Sequence, residues 1–206
     1  MHYCQSCQTP VAMEPAGGGA VCPRCGRTDD AVLGPLFIVT GASGSGKTAV
    51  LAPLARLLRG RCVTFDADLL IDAAAALNGG QPVIWPAFRD AWLAVAHGVA
   101  QSGMPTVLLG PFIPEHLRDL PSRRWIGDIR FIVLDCPDEL RRERISARPR
   151  WRMRDTDEQV EFGRWLRRNI PDRVDTSTGT PEDTAAAIAA WVGRQLAGRL
   201  PPTDGG

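Results

Sequence analysis

One glycine-rich segment of the chain has the residue types and the spacing needed to hold nucleotide phosphates. We call it the phosphate loop, and its sequence is Gly41-Ala42-Ser43-Gly44-Ser45-Gly46-Lys47-Thr48. Glycines at this spacing let successive backbone N–H groups point at one phosphate, and the helix that follows adds the positive end of its dipole. Lys47 would then bridge the β- and γ-phosphates, and the Thr48 hydroxyl would bind Mg²⁺. The spacing therefore predicts binding of ATP with Mg²⁺, against the alternative of a glycine-rich turn that holds no ligand.

Two carboxylates, Asp66 and Asp68, follow a second apolar run of the chain. In a parallel α/β sheet this position is the carboxyl edge, which faces the phosphates. Since alternate residues of an extended segment point the same way, both carboxylates could face the cleft. One would accept the proton of an acceptor hydroxyl, and the other would bind the acceptor or a Mg²⁺-bound water. The alternative is that one of them only caps the next helix, for which Asp68 is well placed.

An arginine-rich helix and loop begin at Asp138. Within it, Arg144 and Arg148 are four residues apart and share a helix face. Arginines on a mobile lid neutralise the charge that spreads over the phosphoryl group during transfer, so we expect these two to close over the phosphates. The alternative is an ordinary solvated helix, because all of the 24 basic residues except Lys47 are arginine.

Four of the six cysteines fall in two Cys-x-x-Cys pairs, Cys4 with Cys7 and Cys22 with Cys25. Four thiolates at this spacing suit tetrahedral Zn²⁺, so we predict a zinc ribbon over residues 1–28 in which the metal supplies most of the folding free energy. The other two cysteines lie in apparent strands, which favours a reducing, cytoplasmic compartment over a disulfide framework. Zinc ribbons often contact nucleic acid or protein, so that class of function stays open.

The elements that position these residues alternate between short apolar strands and helical segments. Strands are predicted at residues 36–40, 61–65, 106–109, 129–134 and 173–175. Helices between buried strands are typical of a parallel sheet with helices on both faces. We therefore expect an α/β protein with a three-layer P-loop NTPase fold at residues 36–200, a linker at residues 29–35 and a disordered tail at residues 201–206.

Together the motifs resemble the small-molecule kinases of the P-loop superfamily, a group that includes gluconate kinase, chloramphenicol phosphotransferase and the polynucleotide 5′-kinases. The resemblance spans about residues 36 to 197 and depends on an ordered set of motifs. The set comprises the phosphate loop, Asp-x-Asp after the second strand, Val133-Leu-Asp-Cys-Pro-Asp-Glu-Leu140 followed by Arg144 and Arg148, and Val174-Asp-Thr-Ser-Thr-Gly-Thr-Pro-Glu182.

This resemblance implies the strand order 2-3-1-4-5 for the parallel sheet. It also implies that Asp68 is the catalytic base, because the segment around it is similar to the one that holds the catalytic Asp in the antibiotic phosphotransferases. An adenine site is implied at Arg148 and at the loop around Thr176 to Gly179, which includes Thr178. The chain departs from many relatives after its third strand, where they carry a Mg²⁺-organising Asp and it does not, so Asp66 would take over that task.

The acceptor pocket is expected over residues 69–125, where aromatic and basic side chains concentrate. They are Trp85, Phe88, Arg89, Trp92, His116, Arg123, Arg124 and Trp125. Such side chains could stack a base or grip an anionic acceptor, whereas the helical spacing of Trp92 favours a core position and His116 is equally consistent with the surface. The pattern names no single acceptor.

We therefore expect an ATP-dependent kinase that acts on a hydroxyl of a small-molecule or nucleoside-like acceptor, with ATP, Mg²⁺ and Zn²⁺ as cofactors. The formal net charge of +1 argues against a protein that coats nucleic acid, and no apolar run is long enough to span a membrane. Two alternatives follow from the ribbon. One is a nucleic-acid end-processing kinase that uses the ribbon for docking, and the other is a non-catalytic ATP-binding protein that recruits a partner.

Overall fold

The computed structural model describes residues 3–8, 10–149 and 155–198, so the predicted tail at residues 201–206 lies outside the described residues. An antiparallel sheet lies at the N-terminus, and together with the four paired cysteines we call it the cysteine module. Its strands, in spatial order, are β1 (Glu14–Ala16), β2 (Gly19–Val21) and β3 (Thr28–Asp30). Gly17 and Gly18 join β1 to β2 and both have positive φ, as a type I′ hairpin turn requires.

Strand β3 extends the cysteine module further than the sequence indicates. Asp29 pairs with Ala20 and Asp30 pairs with Gly19, although the sequence assigns both aspartates to the linker. The pairing satisfies backbone groups of β2 that would otherwise lie at a sheet edge.

The rest of the described chain forms a parallel sheet with helices on both faces, which we call the P-loop domain. Its five strands are β4 (Leu36–Thr40), β5 (Val63–Asp66), β6 (Thr106–Leu109), β7 (Ile129–Asp135) and β8 (Arg173–Asp175). They lie in the spatial order β5-β6-β4-β7-β8, which confirms the predicted order 2-3-1-4-5. Because all neighbouring strands are parallel, their carboxyl ends meet at one edge, and the phosphate loop begins there directly after β4.

Six α-helices are present in the described residues. They are α1 (Lys47–Leu57), α2 (Ile71–Leu77), α3 (Trp85–Ala100), α4 (Asp138–Ser146), α5 (Thr156–Asn169) and α6 (Pro181–Ala197). Short 3₁₀ turns occupy Ala67–Leu70, Pro114–His116 and Pro121–Trp125. Within the described ranges, no helix combines the length and the apolar character that crossing a membrane would require.

The central strand β4 is buried on both faces and so divides the core of the P-loop domain in two. On one face Phe37 and Val39 pack with α1 and α6, where the ring of Trp191 meets that of Phe37 edge-on at 5.7 Å between centroids. On the other face Ile38 packs with Trp92 of α3. Burying side chains of this size stabilises the fold by about 1.5–3 kcal/mol each. Because successive side chains of β4 are buried on opposite faces of the sheet, the orientation of β4 is fixed, and so is the direction of the loop that follows it.

The cysteine module is attached to the P-loop domain through Trp125. This side chain is buried in one cluster with Cys4 and other residues of the module. On its other side the ring lies 5.0 Å, between centroids, from that of His97 on α3. Gln101 follows α3, and its side-chain amide makes two hydrogen bonds of 3.0 and 2.9 Å with the backbone of Val32. The two parts of the chain therefore share a hydrophobic contact.

Candidate functional site

The phosphate loop presents backbone donors at the N-terminus of α1. Gly44 and Gly46 have φ values of 83° and 92°, which glycine adopts without strain. The N–H groups of Gly44, Gly46, Lys47 and Thr48 donate to no other described group. Clustered amide donors at a helix N-terminus bind anionic oxygens, so the residues of this loop fit a nucleotide phosphate.

A buried arginine, Arg141 of α4, holds the phosphate loop in place. Its guanidinium donates to Ser43 O at 3.1 Å and to the carboxylate of Asp135 at 2.7 Å, and the Arg141 side chain is fully buried. Breaking such a pair would leave an uncompensated buried charge, which is strongly destabilising. The sequence predicts Arg144 of this helix as a site residue but not Arg141. The sequence does contain a signal for Arg141. This residue precedes the apolar Ile145 by four residues, so both side chains share the inner face of α4, where Ile145 is fully buried.

Arg144 contacts protein oxygens at the base of the phosphate loop. It donates to Thr176 O at 2.6 Å, to Thr176 Oγ1 at 3.1 Å and to Gly44 O at 3.3 Å. The side chain thereby ties the loop after β8 to the phosphate loop. That Arg144 closes over the phosphates stays a prediction.

The two residues expected near an adenine occupy different surroundings. Arg148 is half-buried and lines the same cleft as the phosphate loop. Thr178 is exposed in the turn after β8 and does not line that cleft. The loop at residues 150–154, which belongs to the predicted arginine lid, lies outside the described residues.

Lys47 lies among the charged groups of the site. Its ammonium donates to carbonyl oxygens of the phosphate loop, among them Ala42 O at 3.2 Å. Burial lowers the pKa of Lys47 to about 8, and the positive charge of Arg141 acts in the same direction. The carboxylates of Asp68 and Asp66 oppose this shift in the pKa. Any further anion placed beside Lys47 would raise its pKa again.

Asp66 and Asp68 follow β5, and both line the cleft that contains the phosphate loop. Asp66 is half-buried and accepts the backbone N–H of Asp68 at 3.0 Å. One of the two carboxylates does cap the turn that follows β5, and it is Asp66, not Asp68. The 3₁₀ turn begins at Ala67, so its N-cap is Asp66, and Asp68 lies inside the turn with an exposed side chain.

One continuous cleft of about 1220 Å³ contains the phosphate loop, both carboxylates and a region beyond them. That far region, which we call the acceptor region, lies between α3, the segment after β6, and α5. Its aromatic and ionisable lining residues are Trp85, Phe88, Arg89, Phe112, His116, Glu158, Phe162 and Trp165. The cleft therefore has room for a second molecule next to a bound nucleotide.

Helix α5 forms a wall of this cleft, although the sequence predicts no site residue in this helix. Phe162 and Trp165 line the acceptor region, and the side chain of Gln159 accepts the N–H of Ser43 at 2.8 Å. The aromatic pair three residues apart on one helix face was the signal that could have identified this wall.

The remaining aromatic and basic candidates for the acceptor pocket do not line the cleft. Trp92 is buried and donates to Ala67 O at 3.1 Å, which agrees with the core position that its spacing favoured. Arg123 donates to the carbonyl groups of Ile126 and Gly127. Trp125 belongs to the cluster shared with the cysteine module.

The four paired cysteines lie close enough together to bind one metal ion. All four Sγ atoms lie within 4.8 Å of one another. Cys4 is 3.6 Å from Cys25, and Cys7 is 3.6 Å from Cys22. Sulfurs that bind Zn²⁺ tetrahedrally at about 2.3 Å lie ~3.8 Å apart, so this spacing fits Zn²⁺.

Comparison with known proteins gives the family and relatives of this fold. A protein-family model described as "AAA domain" matches residues 38–164, which is more than half of the chain. No curated protein matches the chain significantly.

Solved structures share the architecture at low sequence identity. A sugar kinase from Janibacter sp. HTCC2649 matches with a TM-score of 0.58 and 22% identity over 80% of this chain and 97% of that one. A gluconokinase from Sinorhizobium meliloti 1021 matches with a TM-score of 0.53 and 20% identity, covering 82% and 98%. APS kinase from Mycobacterium tuberculosis, in complex with AMPPNP and APS, matches with a TM-score of 0.54 and 18% identity, covering 78% and 98%.

Proposed function

The chain belongs to the AAA-domain family of P-loop proteins, and on that premise we propose that it is an ATP-dependent phosphotransferase. The reaction moves the γ-phosphate to a hydroxyl of a small-molecule acceptor. The observation that carries this proposal is the continuity of the cleft, which joins the phosphate loop, two carboxylates and the acceptor region in one space. Solved proteins with this fold include a sugar kinase and a gluconokinase, so the fold is compatible with such an activity.

The residues of the cleft suit the separate tasks of the transfer. The amides of the phosphate loop and Lys47 bind the β- and γ-phosphates, and the Thr48 hydroxyl is the protein ligand for Mg²⁺. When bound, Mg²⁺ neutralises negative charge on the phosphates. Asp68 accepts the proton of the acceptor hydroxyl, whose oxygen then bonds to the γ-phosphorus while ADP leaves with the electron pair of the broken bond. Asp66 orders the turn that carries Asp68.

Arg148 lines the cleft that contains the phosphate loop, and its position suits an adenine or ribose contact. The four cysteines of the module bind Zn²⁺ in a structural role, since no cleft residue belongs to the module. A reducing compartment such as the cytoplasm would keep these thiols available for the metal.

A coupled assay of ADP formation with a panel of hydroxylated acceptors tests the phosphotransferase. At least one acceptor should raise ATP consumption above the rate with buffer alone. Asp68→Asn should lower that rate by about 10²–10⁴-fold, because the variant cannot accept the proton. Its affinity for ADP with Mg²⁺ at pH 7 should stay close to that of the native protein. Asp66→Asn is the matched control, since an Asn side chain can still accept the N–H of residue 68.

Two results would contradict the proposal. One is ATP consumption that no acceptor stimulates. The other is full acceptor-dependent turnover in the Asp68→Asn variant, since Asp68 would then not accept the proton of the acceptor hydroxyl.

A further inference from the structure

Arg89 of α3 is a charged residue of the cleft to which the proposed reaction assigns no task. Its side chain is half-buried and lines the acceptor region. The other arginines of the described chain that are not exposed have partners. Arg141 binds Asp135 and Arg167 binds Asp138, for example, whereas Arg89 has neither a hydrogen bond nor an ion pair with any described residue. A guanidinium that has lost hydration without gaining a partner is costly, and such a group in a cleft indicates a binding site.

The positive charge of Arg89 is also unbalanced by its surroundings. Burial lowers its pKa, and no carboxylate of the described residues raises that pKa. An arginine nevertheless stays protonated at every physiological pH. The carboxylates Asp66 and Asp68 of the same cleft act on Lys47 instead, and Glu158, which also lines the acceptor region, is not among the causes of the shift in the pKa of Arg89. The acceptor region thus presents a permanent positive charge that an anionic ligand would neutralise.

His116 adds a neutral hydrogen-bonding group beside this cation. Its Nδ1 atom is buried and has no hydrogen-bond partner among the described residues. Burial and the charge of Arg89 lower the pKa of His116, so the imidazole is neutral at pH 7. A neutral imidazole can donate or accept one hydrogen bond without adding a second positive charge.

We propose that Arg89 and His116 form an anion subsite, and that the acceptor is a hydroxylated small molecule carrying a carboxylate or phosphate group. The planar guanidinium binds either group through two parallel hydrogen bonds, and this fixes the orientation of the ligand as well as its position. The proposal rests on the phosphotransferase function, because an acceptor anchored at Arg89 has its hydroxyl available to Asp68 across the same cleft.

The carbon skeleton of such an acceptor would lie against Trp85. This side chain is 50% exposed although it lines the cleft, and its ring meets that of Phe88 edge-on at 5.6 Å between centroids. The exposed indole offers an apolar face for a sugar-like chain or ring.

Thermal stability and calorimetry with pairs of compounds that differ in one charged group test the anion subsite without requiring turnover. The full-length protein with Mg²⁺ and ADP is titrated with D-gluconate against sorbitol, and with glucose 6-phosphate against glucose. We expect an anionic member of a pair to bind and its neutral partner not to bind. The gluconate arm reports a carboxylate ligand, and the glucose 6-phosphate arm reports a phosphate ligand.

Variants then locate the binding site of the anion. Arg89→Ala should weaken anion binding by about 10- to 100-fold, because a charge-assisted hydrogen-bonded contact is lost. Arg89→Lys should recover part of that loss, and His116→Ala should weaken binding while Arg89 is intact. Arg118→Ala is the matched control, since Arg118 is exposed and does not line the cleft.

The subsite is overturned if neutral partners bind as well as the anions, if Arg89→Ala binds the anions as well as the native protein, or if neither anion binds. Turnover separates this proposal from the phosphotransferase. If anions bind through Arg89 but no ATP is consumed, the anion subsite is supported and the phosphotransferase reaction is contradicted. If neutral acceptors are phosphorylated equally by the native protein and by Arg89→Ala, the phosphotransferase reaction is supported and the anion subsite is contradicted.

Discussion

The affinity for nucleotide should fall with rising pH in a range set by Lys47. Its pKa is about 8 in the structure, because burial and Arg141 disfavour the ammonium form. Binding of phosphate oxygens favours that form and so raises the pKa. A group whose pKa rises on binding contributes affinity that is complete below its free pKa and is lost as the pH increases through that value.

The size of the effect follows from the free pKa. With a value of about 8, about a tenth of the lysine is neutral at pH 7 and about nine tenths at pH 9. The dissociation constant for ADP with Mg²⁺ should therefore rise by about 10-fold between pH 7 and pH 9. Binding at pH 9 should take up ~0.9 proton per nucleotide.

Isothermal titration calorimetry with ADP measures both quantities, because experiments in buffers of different ionisation enthalpy count the protons taken up. Lys47→Arg serves as the control, since a guanidinium keeps its charge over this range and should bind with an affinity that does not change with pH. Asp68→Asn removes a charge that raises the pKa of Lys47, so its loss of affinity should begin at lower pH. A pH-independent affinity in the native protein, or an equally steep decline in Lys47→Arg, would refute the reasoning.

Two further predictions concern the cysteine module. Trp125→Ala should lower the free energy of unfolding by about 3–5 kcal/mol, measured by denaturant titration, because a buried indole shared by both parts of the chain is lost. A brief treatment with chelator should release one Zn²⁺ per chain and expose four thiols to a thiol reagent. Cys62 and Cys136 should react only after denaturation, since both are buried, and burial raises the pKa of Cys62 to about 11.

Matched comparisons make these two results decisive. Trp85→Ala removes the same side chain from a half-exposed position and should cost much less stability, so equal losses would contradict the role given to Trp125. Absence of zinc in protein purified under reducing conditions, or reaction of all thiols before denaturant is added, would contradict the metal site and the buried positions of the remaining cysteines.

The parallel sheet could be predicted because its signals are local. The central strand is a short run of apolar residues that ends at the glycines of the phosphate loop, and it was found at residues 36–40 as expected. Which of the two carboxylates caps the next turn could not be predicted from the sequence, because it depends on where β5 ends. The strand continues through Asp66 instead of ending at Phe65, and the turn therefore starts at Ala67.

The residues that position the phosphate loop or surround the cleft could be predicted less well, because their roles depend on contacts between segments that are distant in the sequence. Arg141 differs from the arginines around it only in facing Asp135 and Ser43. Trp125 was expected in the acceptor region because aromatic residues concentrate there, yet it packs against residues far away in the sequence. The spacing of Arg141 from Ile145 indicates the inner face of α4 but not the partners that Arg141 binds, and no spacing rule distinguishes Trp125. The positions of β7 and α4, by contrast, follow from one apolar run and one helical segment.

The attachment through Trp125 determines how far the cysteine module can be treated as a detachable part. A chain that began at β4 would expose the indole of Trp125 and the adjacent face of α3 to water, and such a patch promotes self-association. Precipitation of such a shortened protein would therefore indicate an exposed apolar surface and not a loss of catalytic activity. By the same reasoning, a homologous domain without this module would be expected to carry a smaller or polar side chain at the position of Trp125.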